Sequence, residues 1–176
     1  MIFRNILAGV VAATILIAAP AAVAQTVTAT NINGTLNDYV WVAMGGGAGP
    51  WQVSGTWRAK VAGEGQAEFV AAILGVRSDL WVLQTGADPQ TTERAAHTHH
   101  VALSGAVVTP ITGGVRLTGT AVITSNGSVA FSNASIAVEI TGGDTMRFSN
   151  MKLFFLGGDG GHFGPHAYNG VVTGER

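Results

Sequence analysis

The chain has 176 residues, 11% of them charged, a formal net charge of −1 and no cysteine. The absence of thiols excludes disulfides, thiolate zinc sites, iron–sulfur clusters and cysteine nucleophiles. Charge is sparse against the roughly one quarter of an ordinary domain and forms no basic stripe, which argues against a nucleic-acid partner.

Residues 1–24 read as a secretory signal peptide. Arg4 supplies a positive n-region, an apolar run follows from Ile6 to Ala19, and Ala22-Val23-Ala24 is a small-x-small cleavage pattern before Gln25. The apolar run falls short of the roughly 20 residues that a membrane helix needs. No cysteine follows it to carry a lipid, and nothing later reads as a membrane span. The expectation is an exported protein, periplasmic or extracellular. Without Arg4, the mature part holds 8 basic against 10 acidic residues.

Residues 25–176 show neither a linker nor an internal repeat and are expected to form one all-β domain, an antiparallel β-sandwich or barrel. No amphipathic helix emerges. Short runs rich in Val, Ile, Thr, Phe and Trp recur between glycine-rich turns. The expected strands are 26–32, 38–43, 51–61, 66–74, 80–84, 99–109, 114–125, 128–140, 144–155 and 169–173. Between Val115 and Ile123, alternation puts Val115, Leu117 and Ala121 on one face, with Arg116, Thr118 and Thr120 on the other. Ser125-Asn126-Gly127-Ser128 reads as a type I′ hairpin turn, because Asn-Gly tolerates positive φ at both central positions. Thr141-Gly142-Gly143-Asp144 reads as a second such turn, Gly-Gly-Gly at 45–47 as a loop, and the polar stretch 85–96 as a long loop leading into the first histidines.

All five histidines fall in two clusters: His97, His99 and His100 in one, His162 and His166 in the other. Imidazole is a common ligand for zinc, copper and nickel. On an extended segment, His97 and His99 share a face and make a two-ligand clamp, while His100 points the opposite way. Addition of His162 and His166 would complete a nitrogen set that suits tetrahedral zinc or a flatter copper(II). His100 is a further candidate. Asp159 and Glu93 stand close enough in sequence to ligate or to orient an imidazole. Exposed polar loops rich in histidine are the plainer explanation.

Other chemistry is thinly supported. Ser104 lacks a nucleophile elbow, and no spacing favours paired carboxylates among Glu64, Glu68, Asp79 and Glu139. Trp41, Trp51, Trp57 and Trp81 read mainly as core residues, and Met44, Met146 and Met151 do not cluster. Tyr168 and Asn169 read as packing or turn residues. Asn33, Asn126 and Asn133 head glycosylation sequons that matter only in a eukaryotic secretory route.

Two resemblances bear on residues 101–172. Leu103-Ser104-Gly105, Pro110, Gly119-Thr120-Ala121 and the ending His162…Gly164-Pro165…Asn169-Gly170-Val171-Val172 resemble the CHRD domain family. That resemblance implies an exported β-sandwich and no settled biochemistry. The second His of the family's His-x-His and its final Pro are replaced here by Gly164 and Val171. The order of His-x-His, then a later His near Gly-Pro and Asn, is also similar to the cupins, which implies a metal inside a β-barrel. The glutamate ligand of the cupin motif is missing, because Val101-Ala102-Leu103-Ser104 occupy its place.

The sequence thus points first to non-catalytic binding or structural bracing by zinc or copper at His97, His99, His162 and His166. A metalloenzyme of unknown substrate and a cell-surface structural or adhesive subunit are the alternatives. Self-association is expected, if at all, through sheet edges, with the Thr-rich first strand augmenting a neighbour.

Overall fold

The computed structural model describes residues 29–42, 49–62, 66–77, 96–142, 148–157 and 160–176. Among these residues, eight antiparallel strands follow one another around a closed barrel. They are β1 (Thr30–Val42), β2 (Gly49–Val61), β3 (Ala67–Arg77), β4 (Ala96–Ile111), β5 (Gly114–Ser125), β6 (Ser128–Gly142), β7 (Phe148–Leu156) and β8 (Tyr168–Glu175), with one helical turn, α1 (Gly160–Phe163), before β8. The all-β expectation therefore holds, and of its two architectures the barrel is the one formed. The leader 1–24, the expected strand 80–84 and the loops at 45–47 and 85–95 lie outside the described residues.

The alternation seen in sequence separates inside from outside. Ile32, Leu36 and Val40 of β1, Phe69, Ala71 and Ile73 of β3, and Leu117, Ala121 and Ile123 of β5 are all buried. The outward positions are mostly polar on β1 and β5, where Asn33, Thr35, Asn37, Thr118 and Thr120 face out, but apolar along most of β3, where Val70, Ala72, Leu74 and Val76 do. An eight-stranded barrel has an interior just wide enough for side chains to fill. Here Trp57 lies inside, its ring 6.2 Å from that of Phe69, and donates its indole N–H to the Thr35 carbonyl at 3.2 Å.

Trp57 also explains why β1 is longer than its sequence suggests. Residues 33–37 separate two expected strands, 26–32 and 38–43. Instead one strand runs through, and Gly34 is where the indole lies. A Cβ on Gly34 would meet Trp57 Cζ2 at 2.6 Å. The glycine thus permits a close approach rather than a reversal of direction. Trp51 joins Trp57 in the core, whereas Trp41 is exposed on the outer wall.

The hairpin expectations are met where they can be seen. Asn126 and Gly127 have φ of 47° and 83°, as a type I′ turn requires. The tip between β6 and β7 lies outside the described residues. On β4 the ladder shifts register between Leu103 and Val107, and Gly105 in this bulge has φ 65°.

β8 closes the barrel by pairing with both β7 and β1. Over residues 32–36, β1 is therefore hydrogen-bonded on both sides and is not an edge that could augment a neighbour's sheet there. Closure is incomplete at one end. The β8 ladders stop at Tyr168 opposite Leu153 and at Gly170 opposite Leu36, while β1 and β7 run on. The helical turn α1, unforeseen from the sequence, packs against β1 and β7 at this end. Gly164 follows it with φ 84°, the left-handed residue that ends a helix, and Pro165 comes next.

Candidate metal centre

His97 and His99 both point inward at the end of the barrel where α1 sits. Inward parity carries on along β4 to Val101 and Leu103, both buried, so the histidines are the polar end of an otherwise apolar row. His99 is 5% exposed. On the flanking strands, Gly75 lies opposite His97, while Ile73 and Ser125 lie opposite His99. The Trp51 ring meets His97 edge-on at 4.9 Å.

The backbone between the two histidines is held from outside. The Thr98 N–H donates to Asn126 Oδ1 at 3.0 Å, and the Asn126 N–H donates to the Thr98 carbonyl at 3.0 Å. The turn that joins β5 to β6 therefore clamps the middle residue of His-x-His. Asn126 is read from sequence as a turn former and the head of a sequon, not as a partner of β4. Its second role needs β4 to lie beside the turn, which no local signal specifies.

From the other side, α1 delivers His162. Phe163, 1% exposed, anchors the helical turn. It stacks on Phe155 at 3.8 Å and meets His99 at 5.0 Å and Phe131 at 5.5 Å. His162 is left on the solvent side, with Phe131 5.6 Å away. Behind this wall, Asp38 Oδ2 accepts the Asn169 backbone N–H at 2.8 Å and its side-chain amide at 2.7 Å, fastening the start of β8 to β1. Burial, and then the Asp38 charge, push the Tyr168 phenol above its ordinary range.

The donor atoms of His97, His99 and His162 all lie within 4.8 Å of one another. His99 Nε2 and His162 Nε2 are 3.3 Å apart. Two nitrogens bound to one tetrahedral zinc at 2.0–2.1 Å would sit about 3.3 Å apart. The same distance fits an N–H···N hydrogen bond, so the geometry suits a metal-free site as well as a loaded one.

Tautomer and charge are compatible with a metal. His99 Nδ1 lies 3.3 Å from the Thr124 carbonyl oxygen. That oxygen can only accept, so Nδ1 carries the proton and the lone pair is on Nε2, facing the cluster. Burial, and then the neighbouring His97 and His162, lower the His99 pKa from 6.5 to about 4, against a smaller opposing effect of the Thr124 hydrogen bond. Burial and then His162 lower that of His97, and partial desolvation of the His162 ring, packed near Phe131 and Phe163 although its other side faces solvent, lowers that of His162. All three imidazoles are thus held neutral near pH 7, the state in which they ligate.

The other candidates stand apart. His100 is exposed on the outer wall opposite Ala72, as its parity requires. His166 is exposed beyond α1 and is not among the three gathered residues. Asp159 and Glu93 lie outside the described residues. No family model matches this chain, no curated protein matches it in sequence, and no solved structure matches its fold.

Proposed function

We propose that this protein binds one divalent transition-metal ion, zinc or copper, through His97, His99 and His162, as a binding or bracing module rather than a catalyst. The observation that carries this reading is the convergence of His97, His99 and His162, whose ring nitrogens lie within 4.8 Å of one another at one end of the barrel. An all-nitrogen set disfavours calcium and magnesium, which take oxygen ligands, and suits zinc and copper. The leader-like residues 1–24 support an exported setting, where the ion would be met outside the cytoplasm.

Elemental analysis and titration of the purified, tag-free protein test this. We expect one equivalent of zinc or copper, lost in His99→Ala and retained in His166→Ala and His100→Ala. Absence of metal, with no thermal shift on adding either ion, would refute it.

A metalloenzyme is the second reading, favoured by one feature. Three protein nitrogens leave a tetrahedral ion one position for water or substrate, and the exposed His162 marks the solvent side of the site. Cobalt(II)-loaded protein that changes its visible spectrum on adding azide would support this reading. An unresponsive spectrum would favour the saturated, non-catalytic one.

A further inference from the structure

At the end of the barrel away from the histidines, the outer wall of β1, β2 and β3 carries a groove of about 560 Å³. Six polar residues line it: Asn31, Asn33, Arg58, Lys60, Glu68 and Arg176. Strand register brings them together. Arg58 lies opposite Asn33, and Lys60 lies between Asn31 and Glu68. Arg176 reaches the same place from β8, where its backbone exchanges two hydrogen bonds with Asn31, at 2.7 and 2.8 Å.

The concentration of charge here is unusual for this chain. Three of its 9 Lys and Arg residues meet in one groove. Among the described residues none of these three forms an ion pair, although Arg116 and Glu139 do so elsewhere, at 3.5 Å. Lys60 has Glu68 opposite it, but Arg58 lies between Asn33 and Val70 and Arg176 faces Asn31, so these two cations have no acidic residue across the ladder. A bound anion would supply their partner. Arg offers a planar fork of donors that matches an oxyanion, and Lys adds a mobile point charge. The amides of Asn31 and Asn33 and the carboxylate of Glu68 are suited to hydroxyl groups. The volume falls within the range of small-molecule sites.

We infer that this groove binds an acidic sugar, with its oxyanion group on Arg58, Lys60 and Arg176 and its hydroxyls on the Asn and Glu side chains. The site is separate from the histidine cluster and does not depend on metal.

Calorimetric titration at low ionic strength tests it, using trigalacturonate, its fully methyl-esterified form and inorganic sulfate as probes. We expect saturable one-to-one binding of trigalacturonate that weakens with added salt, little binding of the ester, and weaker binding of sulfate. Arg58→Gln should weaken trigalacturonate roughly tenfold, the scale of one charge-assisted hydrogen bond, and Arg58→Gln with Lys60→Gln should weaken it further. Arg116→Gln should leave it unchanged, and the melting temperature of each variant checks that the barrel is intact. No binding of trigalacturonate, or equal binding in a folded double variant, would overturn the inference. Sulfate bound as tightly as trigalacturonate would overturn the sugar and leave an anion site alone.

Discussion

His99 concentrates the chemistry of this chain in one residue. It is the buried member of the triad, its tautomer is set by Thr124, and its charged form is disfavoured. A histidine whose pKa is lower folded than unfolded contributes stability that is complete above the unfolded value. That stability is lost as the pH falls through the folded value. The metal-free protein should therefore lose stability between pH 6.5 and about 4, by an amount on the order of 3 kcal/mol from His99. Urea denaturation across that range measures it, and His99→Phe, which removes the titrating group, should flatten the profile. Saturating metal should raise the midpoint at pH 7 and lose this effect in acid, as protons displace the ion.

Two elements convert a row of side chains into a site, and each can be broken separately. The turn at Asn126 grips the Thr98 backbone. Asn126→Ala removes the side-chain hydrogen bond and places a less tolerant residue at φ 47°. We expect a loss of about 1–2 kcal/mol in stability and weaker metal binding, read by chemical denaturation and metal titration. The helical turn depends on Phe163 in the same way. Phe163→Ala empties the space between Phe155, Phe131 and His99. It should cost about 3–5 kcal/mol and release His162, lowering metal affinity beyond the change in stability. If affinity is unchanged in this variant, His162 is not a ligand.

At the scale of the whole barrel, closure and filling decide stability. Trp57 spans the interior and rests where Gly34 and Gly170 have no side chains, its indole nitrogen 3.1 Å from the Cβ position of Gly170. Gly34→Val should therefore destabilise the protein more than a typical surface change, by upwards of about 2 kcal/mol, because both the Val171 carbonyl and the indole occupy the space. A thermal melt of this variant against the parent checks it. Equal melting temperatures would mean that β1 and Trp57 can shift apart without loss. With β1 paired to both neighbours over residues 32–36, assembly through the edge of that stretch is disfavoured.

Much of this architecture is local and was legible as such. Alternation along Val115 to Ile123 anticipated the buried Leu117 and Ala121, with Val115 partly buried against the same core. Asn126-Gly127 anticipated its turn, and the parity of His97, His99 and His100 anticipated which two would face inward. Each of these follows from the two-residue period of a strand or from the φ tolerance of single residues. The long-range relations were not legible. Gly34 falls in the gap between two expected strands until Trp57 is known to lie over it. His162 and His166 look equivalent until Phe163 sits in the core and leaves only the first beside His99. The Gly164-Pro165 pair was a readable helix stop, but four residues give no periodicity to reveal the helix before it. Closure of the barrel depends on pairing the first and last strands, residues more than a hundred positions apart. Composition and periodicity thus determined that the chain forms sheets and which side chains face each way. Only the tertiary structure decided which histidines meet, because that depends on barrel closure and on one aromatic side chain filling its open end.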